Sequence, residues 1–142
     1  MLLAGAGLPA FALISMRPRA ETSEELLAVV GKYTGGKPAQ SGRVKFDIAT
    51  IVENGNSVSV TVAVDSPMTA TDFVKSIAIF NEKNPQRDVI VAKLGPRAGR
   101  ARMSTRIRLA TSQHLIAIAE LSDGSYWSQG VDVIVALAAC IE

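Results

Sequence analysis

The chain has 142 residues, of which 48% are hydrophobic and 20% charged, and its formal net charge is +2 at pH 7. This length suits one domain that buries its own core without disulfides or structural metal. The small charge gives no argument for nucleic acid as a partner. With one cysteine and one histidine, an internal disulfide is excluded, and no metal site or cofactor is expected.

Residues 1–21 are predicted to be the remnant of an export signal. The run from Leu2 to Met16 is uncharged, matches the core of a signal peptide in length and is short for a membrane span. Basic residues follow this run instead of preceding it, so we interpret Met1 as an internal start within a longer leader. Cleavage is then expected near Pro18-Arg19-Ala20. A buried N-terminal helix or a membrane anchor is the alternative.

A helix is predicted to begin at Thr22-Ser23-Glu24-Glu25, which has the form of a capping box with Thr22 as the N-cap. Gly35-Gly36-Lys37-Pro38 is predicted to end it. Apolar residues recur between these signals at helical spacing and should form one packing face: Leu26, Val29, Val30 and Tyr33.

From Arg43 onward the apolar period changes to two, most clearly in Ser57–Val64, where four valines alternate with small or hydroxyl residues. Turn formers such as Asn54-Gly55 separate such runs at the spacing of a sandwich. We therefore predict an all-β, immunoglobulin-like antiparallel β-sandwich of about seven strands with an N-terminal helix, over residues 22–137. The predicted strands are Val44–Val52, Ser57–Val64, Val74–Phe80, Val89–Leu94, Arg102–Leu109, His114–Leu121 and Tyr126–Leu137.

Two polar features lie on these strands. His114 is predicted to be a partly exposed residue at a strand end and not a catalytic one, because no carboxylate or second ligand is near it in sequence. Arg102, Arg106 and Arg108 alternate outward along another strand and form a basic stripe. The stripe is either a solvated face that discourages edge pairing or a docking site for an acidic partner or an anionic small molecule.

Cys140 lies beyond the last predicted strand, in a C-terminal tail of residues 138–142. Free cysteines are usually buried, whereas chain ends are usually exposed. An exposed thiol there can form covalent adducts with sulfur compounds. Glu142 and the terminal carboxylate disfavour the thiolate, so its reactivity would have to come from a partner. An incidental cysteine is the alternative.

Three stretches, in order, resemble the SoxY family, the sulfur-carrier proteins of bacterial thiosulfate oxidation: Val52–Thr69, Met103–Ala110 and Ala117–Trp127. A valine-rich strand and a terminal cysteine follow them, as in the family, and the resemblance covers roughly residues 23–140. It implies an exported, periplasmic protein with an immunoglobulin-like fold, which is a carrier and not itself an enzyme. It also implies a SoxZ-like subunit as heterodimer partner and periplasmic sulfur-oxidising enzymes as further partners, with no membrane attachment after processing.

In the resemblance, Cys140 matches the cysteine on which the family holds sulfur intermediates. The family has glycines on both sides of that cysteine, whereas here larger residues stand there: Ala138, Ala139, Ile141 and Glu142. These residues stiffen and thicken the arm. The chain is therefore either a divergent carrier serving other enzymes or a SoxY-like binding and assembly module without carrier activity. Aliphatic residues that by pattern alone would form the SoxZ interface are Ile77, Ile79 and Leu94.

Overall fold

The computed structural model of the protein describes Gly5, Gly7 and residues 23–137. These residues form one helix and nine strands. The helix is α1 (Glu24–Thr34), and the strands are β1 (Ala39–Ser41), β2 (Val44–Asp47), β3 (Ile51–Asn54), β4 (Val58–Val64), β5 (Val74–Asn81), β6 (Asp88–Lys93), β7 (Arg102–Ile107), β8 (Gln113–Leu121) and β9 (Tyr126–Leu137). Apart from Gly5 and Gly7, the predicted signal remnant lies outside the described residues, as does Thr22.

The strands form two sheets. The larger has the order β1-β9-β8-β5-β6, with β3 also paired to β9, and the smaller has the order β2-β4-β7. The core between them is built from the alternating apolar positions of both sheets. Three of its side chains, Val62, Ile77 and Leu115, are fully buried. The predicted all-β sandwich with an N-terminal helix is therefore confirmed, with nine strands in place of about seven.

Helix α1 packs on the outer face of the larger sheet. Its N-cap is Ser23, whose hydroxyl accepts a hydrogen bond from the Leu26 amide at 3.3 Å, so the cap lies one residue later than predicted. Gly35 ends the helix with φ 65°, in the left-handed region that glycine adopts without strain. The predicted apolar face is confirmed: it packs against Ala78, Phe80, Ile118 and Tyr126.

Burial raises the pKa of the Tyr33 hydroxyl, which also forms a hydrogen bond with the Ser76 hydroxyl.

The predicted strand Val44–Val52 is wrong as one element, because it divides into β2 and β3. β2 pairs antiparallel with β4 in the smaller sheet, whereas β3 pairs parallel with β9 in the larger. The buried residues Phe46, Ile48 and Val52 all have even numbers, so the buried side keeps its phase across the exposed Thr50 while the hydrogen-bonding partner changes. Periodicity reports which side of a strand is buried, not which sheet contains it.

The sandwich was predicted to be antiparallel, but two of its strand pairs are parallel. Strand β1, which was not predicted, pairs parallel with the beginning of β9, and β3 pairs parallel with its end. β1 contains only Ala, Gln and Ser and is mostly exposed, so it carries no apolar alternation. Strand β9 is thus the longest strand and has three strand partners.

The interface residues predicted from aliphatic pattern are wrong at two positions. Ile77 and Ile79 are fully buried in β5, which lies between β8 and β6 and is not an edge strand. Leu94 is partly buried and packs against the core. The Ile77 and Ile79 side chains therefore already have intramolecular partners and are not free to bind a second subunit.

Candidate functional site

Five of the predicted site residues lie outside the described residues: Ala138, Ala139, Cys140, Ile141 and Glu142. The structure does describe the element from which they continue, since β9 extends to Leu137 as predicted. The end of β9 at Leu137 is therefore the described position that is nearest to Cys140 along the chain.

Hydrogen bonds from three segments hold the end of β9. The Ile134 amide donates to the Thr50 carbonyl at 2.8 Å, and the Val135 amide donates to the Ser112 hydroxyl at 2.8 Å. The Leu137 carbonyl accepts from the Gly55 amide at 2.9 Å. The backbone is thus paired as far as Leu137, and Cys140 follows three residues later. Three extended residues span at most about 10 Å.

Apolar side chains surround this anchored end. Ile51 and Ile134 are register partners on neighbouring parallel strands and are 69% and 60% exposed. Leu137 is 62% exposed at the last position of β9. Large aliphatic side chains gathered at such exposure are typical of a surface that contacts another molecule.

A histidine and a carboxylate meet on the outer face of the paired strands β8 and β9. His114 Nδ1 lies 2.7 Å from Asp132 Oδ1, and the His114 backbone amide donates to Glu82 Oε2 at 3.2 Å. His114 is a partly exposed residue near the start of β8, as predicted. Its carboxylate partners were missed because both are distant in sequence.

The register of the β8–β9 hairpin would have revealed the first of these partners. Residues equidistant from the turn residue Asp123 face each other, so His114 faces Asp132. Gly130, two residues before Asp132, leaves room for the imidazole: a Cβ there would lie 2.7 Å from His114 Nε2. Gly130, Asp132 and Ile134 occupy alternate positions of β9, so the His114–Asp132 pair lies on the same face of the strand as the exposed Ile134.

The basic stripe lies on the other sheet. Arg102 and Arg106 are exposed on β7, and Arg108 is exposed just after it. Strand β7 is an edge of the smaller sheet. Among residues 23–137, Arg106 alone of the three donates to a neighbouring side chain, the Ser57 hydroxyl at 3.1 Å. Met103 and Ile107 point inward between them, so the predicted alternation is confirmed. This edge position agrees with a solvated strand that resists pairing, and it leaves the guanidinium groups open to an anion.

Within residues 23–137, no group of three or more His, Cys, Asp or Glu side chains is arranged to hold a metal ion. In the same part of the chain, no helix is long and apolar enough to cross a membrane.

Comparison with known proteins identifies the family. The family model described as sulfur oxidation protein SoxY matches residues 30–140. No curated protein matches the chain. Among solved structures, the sulfur carrier protein SoxY from Chlorobium limicola f thiosulfatophilum is 26% identical with a TM-score of 0.66, over 80% of this chain and 98% of that one.

Superoxide reductases share the fold at lower identity. The neelaredoxin from Ignicoccus hospitalis is 17% identical with a TM-score of 0.57, over 66% of this chain and 80% of that one. The enzyme from Nanoarchaeum equitans is 11% identical with a TM-score of 0.56, over 68% and 100%. At these identities the likeness concerns the sandwich alone.

The SoxY match covers most of the chain and ends at residue 140, the position of its only cysteine. The SoxY structure shares the sandwich over nearly its whole length. This chain therefore belongs to the SoxY family of sulfur oxidation proteins.

Proposed function

We propose that this protein is a periplasmic sulfur carrier of thiosulfate oxidation, which holds sulfur intermediates covalently on Cys140 and presents them to partner enzymes. The observation that carries the proposal is a family match that continues to residue 140, where the chain has its only thiol. In this role the protein is not an enzyme, and it works as a heterodimer with a SoxZ-like subunit.

The loading step requires a two-electron oxidation. The Cys140 thiol loses its proton, its sulfur bonds to the outer sulfur of thiosulfate, and the product is an S-thiosulfonate, with two electrons passing to an oxidoreductase partner. The carrier itself supplies the sulfur nucleophile and the arm, Ala138 to Glu142. Sulfonate removal by a hydrolase would leave a persulfide for further oxidation.

The basic stripe provides a docking surface in this scheme. Arg102, Arg106 and Arg108 stand on an exposed edge and lack acidic ion-pair partners among residues 23–137. Guanidinium groups so placed attract an acidic partner surface and accelerate its approach. Partners without such an acidic face would dock elsewhere.

The experiment is intact-mass spectrometry of the protein isolated from its native host during growth on thiosulfate. We expect a sulfur-containing mass addition that a reductant removes and that Cys140→Ser abolishes. Absence of any such addition from the wild-type protein contradicts the carrier function.

The second candidate function is a SoxY-like assembly module without carrier activity. It is favoured by Ala139 and Ile141, which flank the cysteine where the family has narrow, flexible glycines. Host strains separate the two functions. If Cys140→Ser leaves thiosulfate oxidation intact while deletion of the whole protein abolishes it, the protein acts through its binding surface and not through its thiol.

A further inference from the structure

A cleft of about 630 Å³ lies between α1 and the edge of the larger sheet. Four apolar or aromatic side chains line it: Val29 and Tyr33 of the helix, Phe80 of β5 and Val91 of β6. Clefts of this size with a mainly apolar lining are typical of sites for small organic molecules. The polar groups around the cleft therefore decide which class of molecule it fits.

One charged side chain of the cleft has a buried nitrogen without a partner. Arg87, in the loop that leads into β6, reaches α1, where its Nη2 atom donates to Glu25 Oε2. Its Nη1 atom is buried and forms no hydrogen bond within residues 23–137. An unpaired buried donor is costly, and an anionic oxygen is the acceptor that a guanidinium binds most strongly. Because Arg87 lines the cleft, this nitrogen favours an anion there.

The other charges at the cleft are more exposed than the Arg87 guanidinium. Lys32 adds a positive charge from α1, and Asp88 adds a negative one at the beginning of β6. Both residues are exposed, and the Glu25 side chain is 71% exposed, whereas that of Arg87 is 27% exposed. Water and salt screen exposed charges more than buried ones. An anion in the cleft would therefore gain more from Arg87 than it would lose to the two carboxylates.

Val91 provides an independent observation. Its side chain is 45% exposed, and it is one of five large hydrophobic side chains that are exposed within residues 23–137. It lies on the face of the sheet that α1 covers, because its register partner Ala78 packs against the helix. A molecule with an apolar body would cover Val91 while its anionic group met Arg87. An inorganic anion would leave Val91 in water.

We propose that this cleft binds an organic anion that joins an apolar body to one carboxylate or sulfonate group. The oxyanion accepts hydrogen bonds from Arg87 Nη1 and Lys32 Nζ, and the apolar body covers Tyr33 and Val91. This inference does not depend on the proposed carrier function. In the larger sheet, β5 and β8 separate β6 from β9, so the ligand lies away from the strand that leads to Cys140.

The test uses the purified full chain and four probes that share one alkyl chain: octanoate, octanesulfonate, octanol and octylamine. The first two are anions, octanol is uncharged, and octylamine is a cation at neutral pH. Isothermal titration calorimetry measures affinity and stoichiometry at concentrations below those at which the probes form micelles. Amide chemical shifts in NMR spectra locate the bound probe.

Four variants separate the contribution of the cleft from that of net charge. Arg87→Gln removes the buried donor, and Lys32→Gln removes the exposed positive charge. Asp88→Asn removes a carboxylate that opposes an anion. The matched control is Lys45→Gln, at an exposed position of β2 in the smaller sheet, which changes the net charge equally. Thermal unfolding of each variant reports whether the fold is unchanged.

We expect both anions to bind at one site, with amide shifts in α1 and residues 85–91. Octanol should bind roughly tenfold more weakly, and octylamine should not bind. Arg87→Gln should weaken octanoate binding roughly tenfold, the effect of one hydrogen bond to a charged group. Lys32→Gln should weaken it and Asp88→Asn strengthen it, each roughly threefold, as expected for exposed charges. Lys45→Gln should leave it unchanged.

A wild-type protein that binds neither anion, or that binds octylamine as tightly as octanoate, overturns the inference. Unchanged octanoate binding by Arg87→Gln and Lys32→Gln, or an equal loss in Lys45→Gln, also overturns it. So do amide shifts confined to another part of the protein. If Arg87→Gln melts early, the exposed positions Lys32 and Asp88 decide the comparison. Either order of affinity between the two anions supports the cleft, and the tighter one identifies the head group.

Discussion

At the scale of single residues, Gly130 shows how one missing side chain shapes the outer face of β9. A Cβ at this position would lie 2.7 Å from His114 Nε2 and 2.8 Å from Cε1, both closer than side-chain contacts allow. The His114 ring occupies that space and reaches Asp132 Oδ1 at 2.7 Å. Gly130 does not have a positive φ, so its role is to provide room and not to form a turn.

A double-mutant cycle tests this role of Gly130. In the wild-type background, Gly130→Ala should displace the His114 ring and lower the free energy of unfolding by about 1 kcal/mol, the contribution of the lost hydrogen bond. In a His114→Ala background, the same substitution should raise it by about 0.5 kcal/mol, because alanine suits a strand better than glycine. Urea unfolding measures both values, and equal effects in the two backgrounds would show that the contact is not formed.

The surroundings of a side chain could be predicted from the sequence only where they depend on residues that are close along the chain. The inward positions of Met103 and Ile107 between exposed arginines follow from alternation and are confirmed. The approach of Asp132 to His114 depends on the register of a hairpin, and the approach of Glu82 depends on a loop from another strand. Local patterns do not contain that information.

At the scale of elements, α1 is held by its apolar face and not by intrinsic propensity. Leu26 is fully buried beneath the helix, whereas Leu27, one residue later, is 54% exposed. A helix of 11 residues is marginal on its own, so packing on the sheet supplies most of its stability. Helical periodicity in the sequence was sufficient to predict this face.

Neighbouring leucines on α1 provide a matched test. Leu26→Ala should lower the free energy of unfolding by about 2 to 5 kcal/mol, because it leaves a cavity between helix and sheet. Leu27→Ala should change it by no more than about 0.5 kcal/mol. Chemical denaturation of the two variants checks the difference. A similar loss at both positions would mean that α1 does not dock through this face.

Strand existence was easier to predict than strand pairing. Strand β4 was predicted almost to the residue because its valines alternate without interruption. The division of β2 from β3 was missed because the apolar residues Phe46, Ile48 and Val52 keep the same phase while the hydrogen bonds move to another sheet. β3 is the strand that brings Ile51 beside Ile134, so this exposed aliphatic pair also escaped prediction.

At the scale of the whole molecule, the fold separates structural and chemical roles. The sandwich and α1 bury the apolar residues, and β9 connects this body through Leu137 to the segment that contains Cys140. The basic stripe lies on β7, in the other sheet from β9. In the proposed carrier function, the basic stripe would attract partner enzymes and the segment that contains Cys140 would enter their active sites.

The measurement that tests this account most directly is an isotope pulse and chase in the native host. Cells receive thiosulfate labelled with heavy sulfur at its outer atom, followed by unlabelled thiosulfate, and peptides containing Cys140 are analysed by mass spectrometry. The account predicts that labelled sulfur joins Cys140 and is replaced during the chase as fast as the cells consume thiosulfate. Thiosulfate consumption at full rate while Cys140 stays unlabelled, or keeps its label unchanged, would contradict it.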